Sequence, residues 1–223
     1  MGILGPDRNI FITGTGTSVG KTYFGCHLAR FLTRKGFRVG VMKPIETGIV
    51  RDDRSDGALL KKAAKSEIPL EWVSPYRFKT PAAPIIASRL EKKKIGIPLI
   101  LKKYHRLALD HDWMIVEGAG GLMVPILKGF YMADLILSLN LGVILIASEQ
   151  LGTINHTLLS VHLAQSRGIK IFAIILNQRK SREDSTTRTH ATILRENVDF
   201  PVLTYPKKIK GFYEESFWEQ LLI

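Results

Sequence analysis

The stretch Thr13-Gly14-Thr15-Gly16-Thr17-Ser18-Val19-Gly20-Lys21-Thr22 decides how the rest of the chain is read. It follows a short β-type run, Asn9 to Ile12, and opens into a helical pattern that begins at Lys21. A loop of this composition leaves backbone N–H groups unpaired and pointing inward, and its glycines let the backbone approach an anion with no Cβ in the way. The helix start behind it adds free N–H groups and the positive end of its dipole. Lys21 is then within reach of the outer phosphates of a nucleoside triphosphate, and the Thr22 hydroxyl is placed to coordinate magnesium. The usual spacing has its first glycine where this chain carries Thr15, flanked by Gly14 and Gly16. A glycine-rich turn can also be a tight connection and nothing more, but the Gly20-Lys21-Thr22 ending argues for phosphate.

Outward from the loop, the helix carries Phe24, Leu28, Phe31 and Leu32 on one face and stops at Gly36. A second strand, Arg38 to Met42, runs into Lys43-Pro44-Ile45-Glu46-Thr47-Gly48. Ser55-Asp56 opens a helix to about Lys65, where Asp56 is either a cap or a metal ligand. Trp72 to Pro84 reads as a loop bordering a site, Pro98 to Leu109 as a helix, and Trp113 to Val116 as a strand ending at Glu117-Gly118-Ala119-Gly120-Gly121. A carboxylate at the carboxyl end of a buried strand, just before a glycine turn, is where α/β proteins place metal-organising acids. The alternative there is a glycine turn without a function.

The rest predicts a helix at Ala133 to Leu139, a strand at Val143 to Ala147, a helix at Thr153 to Arg167 and a strand at Ile171 to Leu176, followed at once by Asn177-Gln178. A surface helix at Arg182 to Glu196, an edge strand at Val202 to Thr204 and a terminal helix at Phe212 to Leu222 complete it. This alternation predicts an α/β chain, a single-domain P-loop NTPase fold over residues 1–223 with a mostly parallel central sheet flanked by helices. At 223 residues and 45% hydrophobic content, one such domain fits and two large ones do not.

Net charge is +12, which admits nucleic acid or an anionic membrane surface. The basic pairs Arg34-Lys35, Lys61-Lys62, Lys102-Lys103 and Lys207-Lys208 are scattered and lack interleaved aromatics, so they read as solvated faces with no nucleic acid or membrane partner. The absence of a signal-type segment and of a spanning apolar run predicts a cytoplasmic protein. Cys26, the single cysteine, reads as a small core residue.

Taken in order, TGTGTSVGKT, KPIETG, Ser55-Asp56, EGAGGLMVPI, and LGTINHTLLS with Asn177 after the next strand resemble the dethiobiotin synthetase family. The resemblance implies an ATP- and magnesium-dependent ligase that closes a ureido ring on 7,8-diaminononanoate with carbon dioxide, working as a homodimer. Lys43 matches the family's essential lysine, and Lys21 and Thr17 lie beside the reacting groups. Ser18, Val19, Gly20, Lys21, Thr22 and Tyr23 would bind the triphosphate, and Glu117, Gly118, Ala119 and Gly120 would line the site. Thr22, Asp56 and Glu117 would hold magnesium. Asn177, with Gln178 beside it, would read the adenine edge, and Pro206, Lys207 and Lys208 resemble a second base-contacting segment. Thr47 would touch the diamine. The helix start at Gly152, Thr153, Ile154 and Asn155 would take the substrate's tail carboxylate across the dimer interface, a place where free N–H groups suit an anion; the alternative is that Thr153 or Asn155 only caps the helix. Gly16 and Ser18 stand where the family loop often carries Asp and Glu. A nucleotide-dependent switch ATPase of the partitioning or septum-positioning type is the competing reading. Its signature lysine would stand near the start of the loop, where this chain has Gly16.

Overall fold

Ile10 and Ile12 turn to one face of the first strand and Phe11 to the other, and all three are fully buried, as expected of a strand covered on both sides. The computed structural model describes residue 4 and residues 8–178, 185–205 and 212–222. In chain order it contains β1 (Asn9–Gly14), α1 (Lys21–Arg34), β2 (Val39–Met42), β3 (Ile45–Glu46), α2 (Asp56–Ala63), α3 (Leu70–Val73), β4 (Tyr76–Arg77), α4 (Pro84–Leu90), α5 (Ile97–Leu109) and β5 (Trp113–Glu117). There follow β6 (Pro125–Leu127), β7 (Phe130–Tyr131), α6 (Met132–Leu139), β8 (Gly142–Ser148), α7 (Thr153–Ser166), β9 (Ile171–Asn177), α8 (Ser185–Asn197), β10 (Val202–Tyr205) and α9 (Phe212–Leu222).

Six strands form one sheet in the order β10-β9-β8-β1-β5-β2, and every neighbouring pair in it is parallel. The chain leaves β1 for β2 at one edge, returns through β5, and then crosses to β8 on the other side of β1. That reversal beside β1 is the switch point at which open α/β sheets form a ligand crevice at the carboxyl ends of their strands. One apolar cluster packs Ile10, Ile12, Val41 and Ile115 against Phe24, Leu28 and Trp218 of α1 and α9. A second packs Phe11, Met42 and Val116 against Ile100 and Tyr104 of α5 and Leu135 of α6.

Two regions depart from the expectation. The stretch read as one loop, 72–84, contains β4, which pairs in parallel with β3, and Pro84 opens α4 instead of ending a turn. Proline needs no N–H partner in the first turn of a helix, so it starts one as readily as it breaks one. The antiparallel β6–β7 pair, turning at Gly129 with φ of 73°, was not anticipated either.

Candidate active site

Strand register brings the charged residues of the site together. Met42 pairs with Val116 and Ile12 with Glu117, so Lys43, one residue past β2, emerges beside Glu117 at the end of β5. Alternation along the strands sends both toward α1, where Thr22 lies in the first turn of the helix. Lys43 Nζ donates to Glu117 Oε1 at 2.6 Å, to Asp56 Oδ2 at 2.9 Å and to the Gly118 carbonyl at 3.0 Å. Thr22 Oγ1 donates to the same Glu117 Oε1 at 2.8 Å. Asp56 arrives from the first turn of α2, and the cap of that helix is Ser55, whose Oγ accepts the Ala58 N–H at 3.3 Å. The Asp56 side chain is therefore not the helix cap.

The loop between β1 and α1 has a left-handed backbone at Ser18, with φ of 57°, and at Gly20, with φ of 104°. A Cβ on Gly20 would fall 1.9 Å from Asn177 Nδ2, and one on Gly14 would fall 2.6 Å from Val19 Cγ2. Gly16 meets nothing within 4 Å, so of the two glycines that flank Thr15 only Gly14 is required by a close approach. Lys21 Nζ folds back to donate to the Gly16 carbonyl at 2.7 Å. Burial first, and the Lys43 ammonium second, pull the Lys21 pKa down to about 8.

A cavity of about 260 Å³ opens here. Of the residues named from the sequence it is lined by Thr17, Ser18, Gly20, Lys21, Thr22, Tyr23, Lys43, Thr47, Asp56, Glu117, Ala119 and Gly120, and Glu46 joins them. Burial works against the Lys43 charge, but the Glu117 and Asp56 carboxylates outweigh it and hold the ammonium above its usual range. Burial likewise opposes the Asp56 carboxylate, and Lys43 outweighs it, leaving Asp56 below the usual carboxylate range. For Glu117 burial wins and its carboxyl is pushed up. Glu117 Oε2 is buried with no hydrogen-bond partner. A buried orphan carboxylate oxygen beside a second carboxylate and a threonine hydroxyl fits magnesium, which takes one or two carboxylates and completes its shell with phosphate and water oxygens.

The remaining named residues lie around this centre. Val19 is buried beneath the loop, and its carbonyl accepts from Asn177 Nδ2 at 2.9 Å. The Asn177 amide thus braces the loop from the end of β9. The Gln178 N–H donates to the Tyr205 carbonyl at 2.9 Å. Gly152 has φ of 87° and starts α7 with no side-chain cap, so neither Thr153 nor Asn155 caps it. Thr153 is buried with its hydroxyl unpartnered, and neither it nor Gly152, Ile154 or Asn155 lines the cavity. Pro206, Lys207 and Lys208 lie outside the described residues. Glu46 escaped the sequence reading, although KPIETG placed it next to Thr47; the missing signal was that α2 would fold back onto it.

A family model described as an AAA domain matches residues 8–205. The ATP-dependent dethiobiotin synthetase of Bacillus licheniformis is 36% identical, over 91% of this chain and 87% of that protein. Its counterpart in Endomicrobium trichonymphae is 37% identical, over 95% of this chain and 98% of that protein. The fold also matches a Borrelia burgdorferi plasmid partition protein bound to AMPPNP, with a TM-score of 0.56 and 14% identity over 96% of each chain. The MinC:MinD cell division complex of Aquifex aeolicus matches with a TM-score of 0.55 and 16% identity, over 91% of this chain and 82% of that one. The two solved structures share the architecture at low identity, whereas the synthetases share over a third of their residues across nearly their whole length, and on that basis the chain belongs to the dethiobiotin synthetase family.

Proposed function

We propose that the chain uses ATP and carbon dioxide to close a ureido ring on 7,8-diaminononanoate, giving dethiobiotin in biotin synthesis. The observation that carries this reading is the meeting of Lys43, Asp56, Glu117 and Thr22 in the cavity of the phosphate loop. One amine of the diamine attacks carbon dioxide and loses a proton, forming a carbamate. The carbamate oxygen attacks the γ-phosphorus and ADP leaves. The second amine then attacks the carbamate carbon, the C–O bond to phosphate breaks, and the ring closes with loss of a proton.

Each step gathers negative charge, so positioned cations are the main requirement. Lys21 and the loop amides hold the triphosphate. Lys43, kept protonated by its two carboxylates, serves as a charge stabiliser for the carbamate and the transferring phosphoryl and is not a proton acceptor. Thr22, Asp56 and Glu117 would hold magnesium, which would neutralise charge on the phosphate oxygens. Thr17 and Thr47 border the same cavity, which suits contact with the reacting groups and the diamine.

The start of α7 is assigned to the substrate's carboxylate, shared between two copies of the chain. Two features support this: no side chain caps its first turn, where only the Thr153 N–H is turned back to the Gln150 carbonyl, at 3.0 Å, and Leu151 beside it is 98% exposed in one copy. Residues 1–223 are read as one synthetase domain working in the cytoplasm; among the described residues no helix is long and apolar enough to cross a membrane. Incubation with diaminononanoate, bicarbonate, magnesium and ATP, followed by mass detection of the ring-closed product, tests the assignment. No product at saturating substrate would refute it.

A further inference from the structure

Glu46 is 5% exposed, and its carboxylate is turned to the backbone of another element. Its Oε1 accepts the Asp56 N–H, and its Oε2 accepts the Gly57 N–H at 3.1 Å. With Ser55 Oγ on the Ala58 N–H, three successive donors in the first turn of α2 are held by side chains. Such donors have no partner inside the helix, and a carboxylate there also complements the dipole. The packing is close, since a Cβ on Gly57 would fall 2.9 Å from Ser74 Cβ and 3.5 Å from Glu46 Oε2. Lys43 takes the Asp56 carboxylate while Glu46, three residues on, takes the Asp56 N–H, so one short segment grips Asp56 from both ends.

We infer that Glu46 is a positioning residue, which fixes the first turn of α2 so that the Asp56 carboxylate stays at the Lys43–Thr22 centre. The magnesium part of this inference rests on the proposed function, and the geometric part does not. Amide hydrogen exchange on the protein without nucleotide or metal tests the geometry: in Glu46→Ala the Asp56 and Gly57 amides should exchange roughly ten- to hundredfold faster, as expected on losing a charged acceptor. In the same variant the magnesium concentration for half-maximal ATP turnover should rise, with ATP affinity at the loop nearly unchanged. Glu46→Gln, which keeps one acceptor oxygen, should recover part of both effects and covers the case in which the alanine variant does not fold. Combined with Asp56→Asn, Glu46→Ala should add little to the magnesium demand, because both act through one carboxylate. Faster exchange with unchanged magnesium demand would reduce Glu46 to a helix cap and overturn the inference. A raised KM for the diamine with unchanged magnesium demand, or fully additive effects in the double variant, would also overturn it.

Discussion

Lys43 donates to Glu117 across 2.6 Å, and the two side chains are only 4% and 1% exposed. Neither charge has water to fall back on, so the pair is maintained by its own geometry together with Asp56 and Thr22.

Replacing Lys43 therefore has two separable consequences. Lys43→Gln should cut turnover by about a hundred- to thousandfold, the usual loss when one preorganised stabiliser of developing charge is removed. Nucleotide binding should stay largely intact if, as proposed, Lys21 and the loop amides hold the triphosphate. Thermal unfolding should also come earlier, since a buried carboxylate left unpaired costs roughly 3 kcal/mol. Lys21→Gln, by contrast, should weaken both turnover and nucleotide binding. Equal loss of ATP affinity in the two variants, measured by calorimetry, would contradict these roles.

The depressed Lys21 pKa predicts a pH signature. In the folded protein the amine titrates near 8 and in the unfolded chain near 10.5. Between these values the unfolded chain binds more protons, so the Lys21 contribution makes the ligand-free protein more stable as pH rises through that window. Below about pH 8 the cost of burying its charge is fully present. Triphosphate restores the charge, so ATP binding near pH 8.5 should take up a proton, visible as a buffer-dependent binding enthalpy. Lys21→Arg, charged throughout, should show no uptake at Lys21. A wild-type enthalpy independent of buffer would refute the prediction.

Ser55 and Asp56 are adjacent yet should fail differently. Ser55→Ala loses the cap of α2 and about 1 kcal/mol of stability, with a small effect on magnesium demand. Asp56→Asn and Glu117→Gln should raise the magnesium needed for half-maximal activity, as a hard cation loses an anionic oxygen. If Asp56→Asn titrates with magnesium like the parent protein, Asp56 does not belong to the metal-holding set.

At the start of α7 the backbone itself constrains the choice of variant. Gly152 has φ of 87°, which proline cannot adopt, so proline there would disrupt the turn as well as remove a donor. Leu151→Lys places a charge on the 98% exposed leucine and should split a dimer whose interface covers it, raising the diamine KM while leaving that for ATP nearly unchanged. Sedimentation of the parent protein as a monomer at assay concentration, with normal turnover, would remove the shared-site proposal.

Much of this site is legible in the sequence. Gly20-Lys21-Thr22 marks a phosphate loop because the chemistry demands those residue types in that order, and a carboxylate at a strand end before a glycine turn marks Glu117, whereas Lys43 was legible only through the family resemblance and its pairing with Glu117 comes from strand register. The role of Glu46 was not legible. It depends on β3 pairing with β4 and on α2 folding back over 10 residues to meet its carboxylate, and local spacing carries no trace of either. The glycine requirement was also ambiguous: Gly14 and Gly16 look alike in the sequence, and only packing against Val19 distinguishes them. Pro84 was misread for a related reason, since proline punctuates both turns and helix starts. The bond from the Asn177 amide nitrogen to the loop at Val19 was not legible either, since it joins residues 158 apart in sequence.

The most direct measurement of the central claim is phosphate release with diamine and carbon dioxide supplied separately and together. If the phosphoryl acceptor is a carbamate formed at this site, release should be slow with ATP and magnesium alone and with either co-substrate alone. With both present it should accelerate, one phosphate appearing for each ring-closed product. Rapid ATP hydrolysis that ignores the diamine would contradict the account and favour a nucleotide-driven switch.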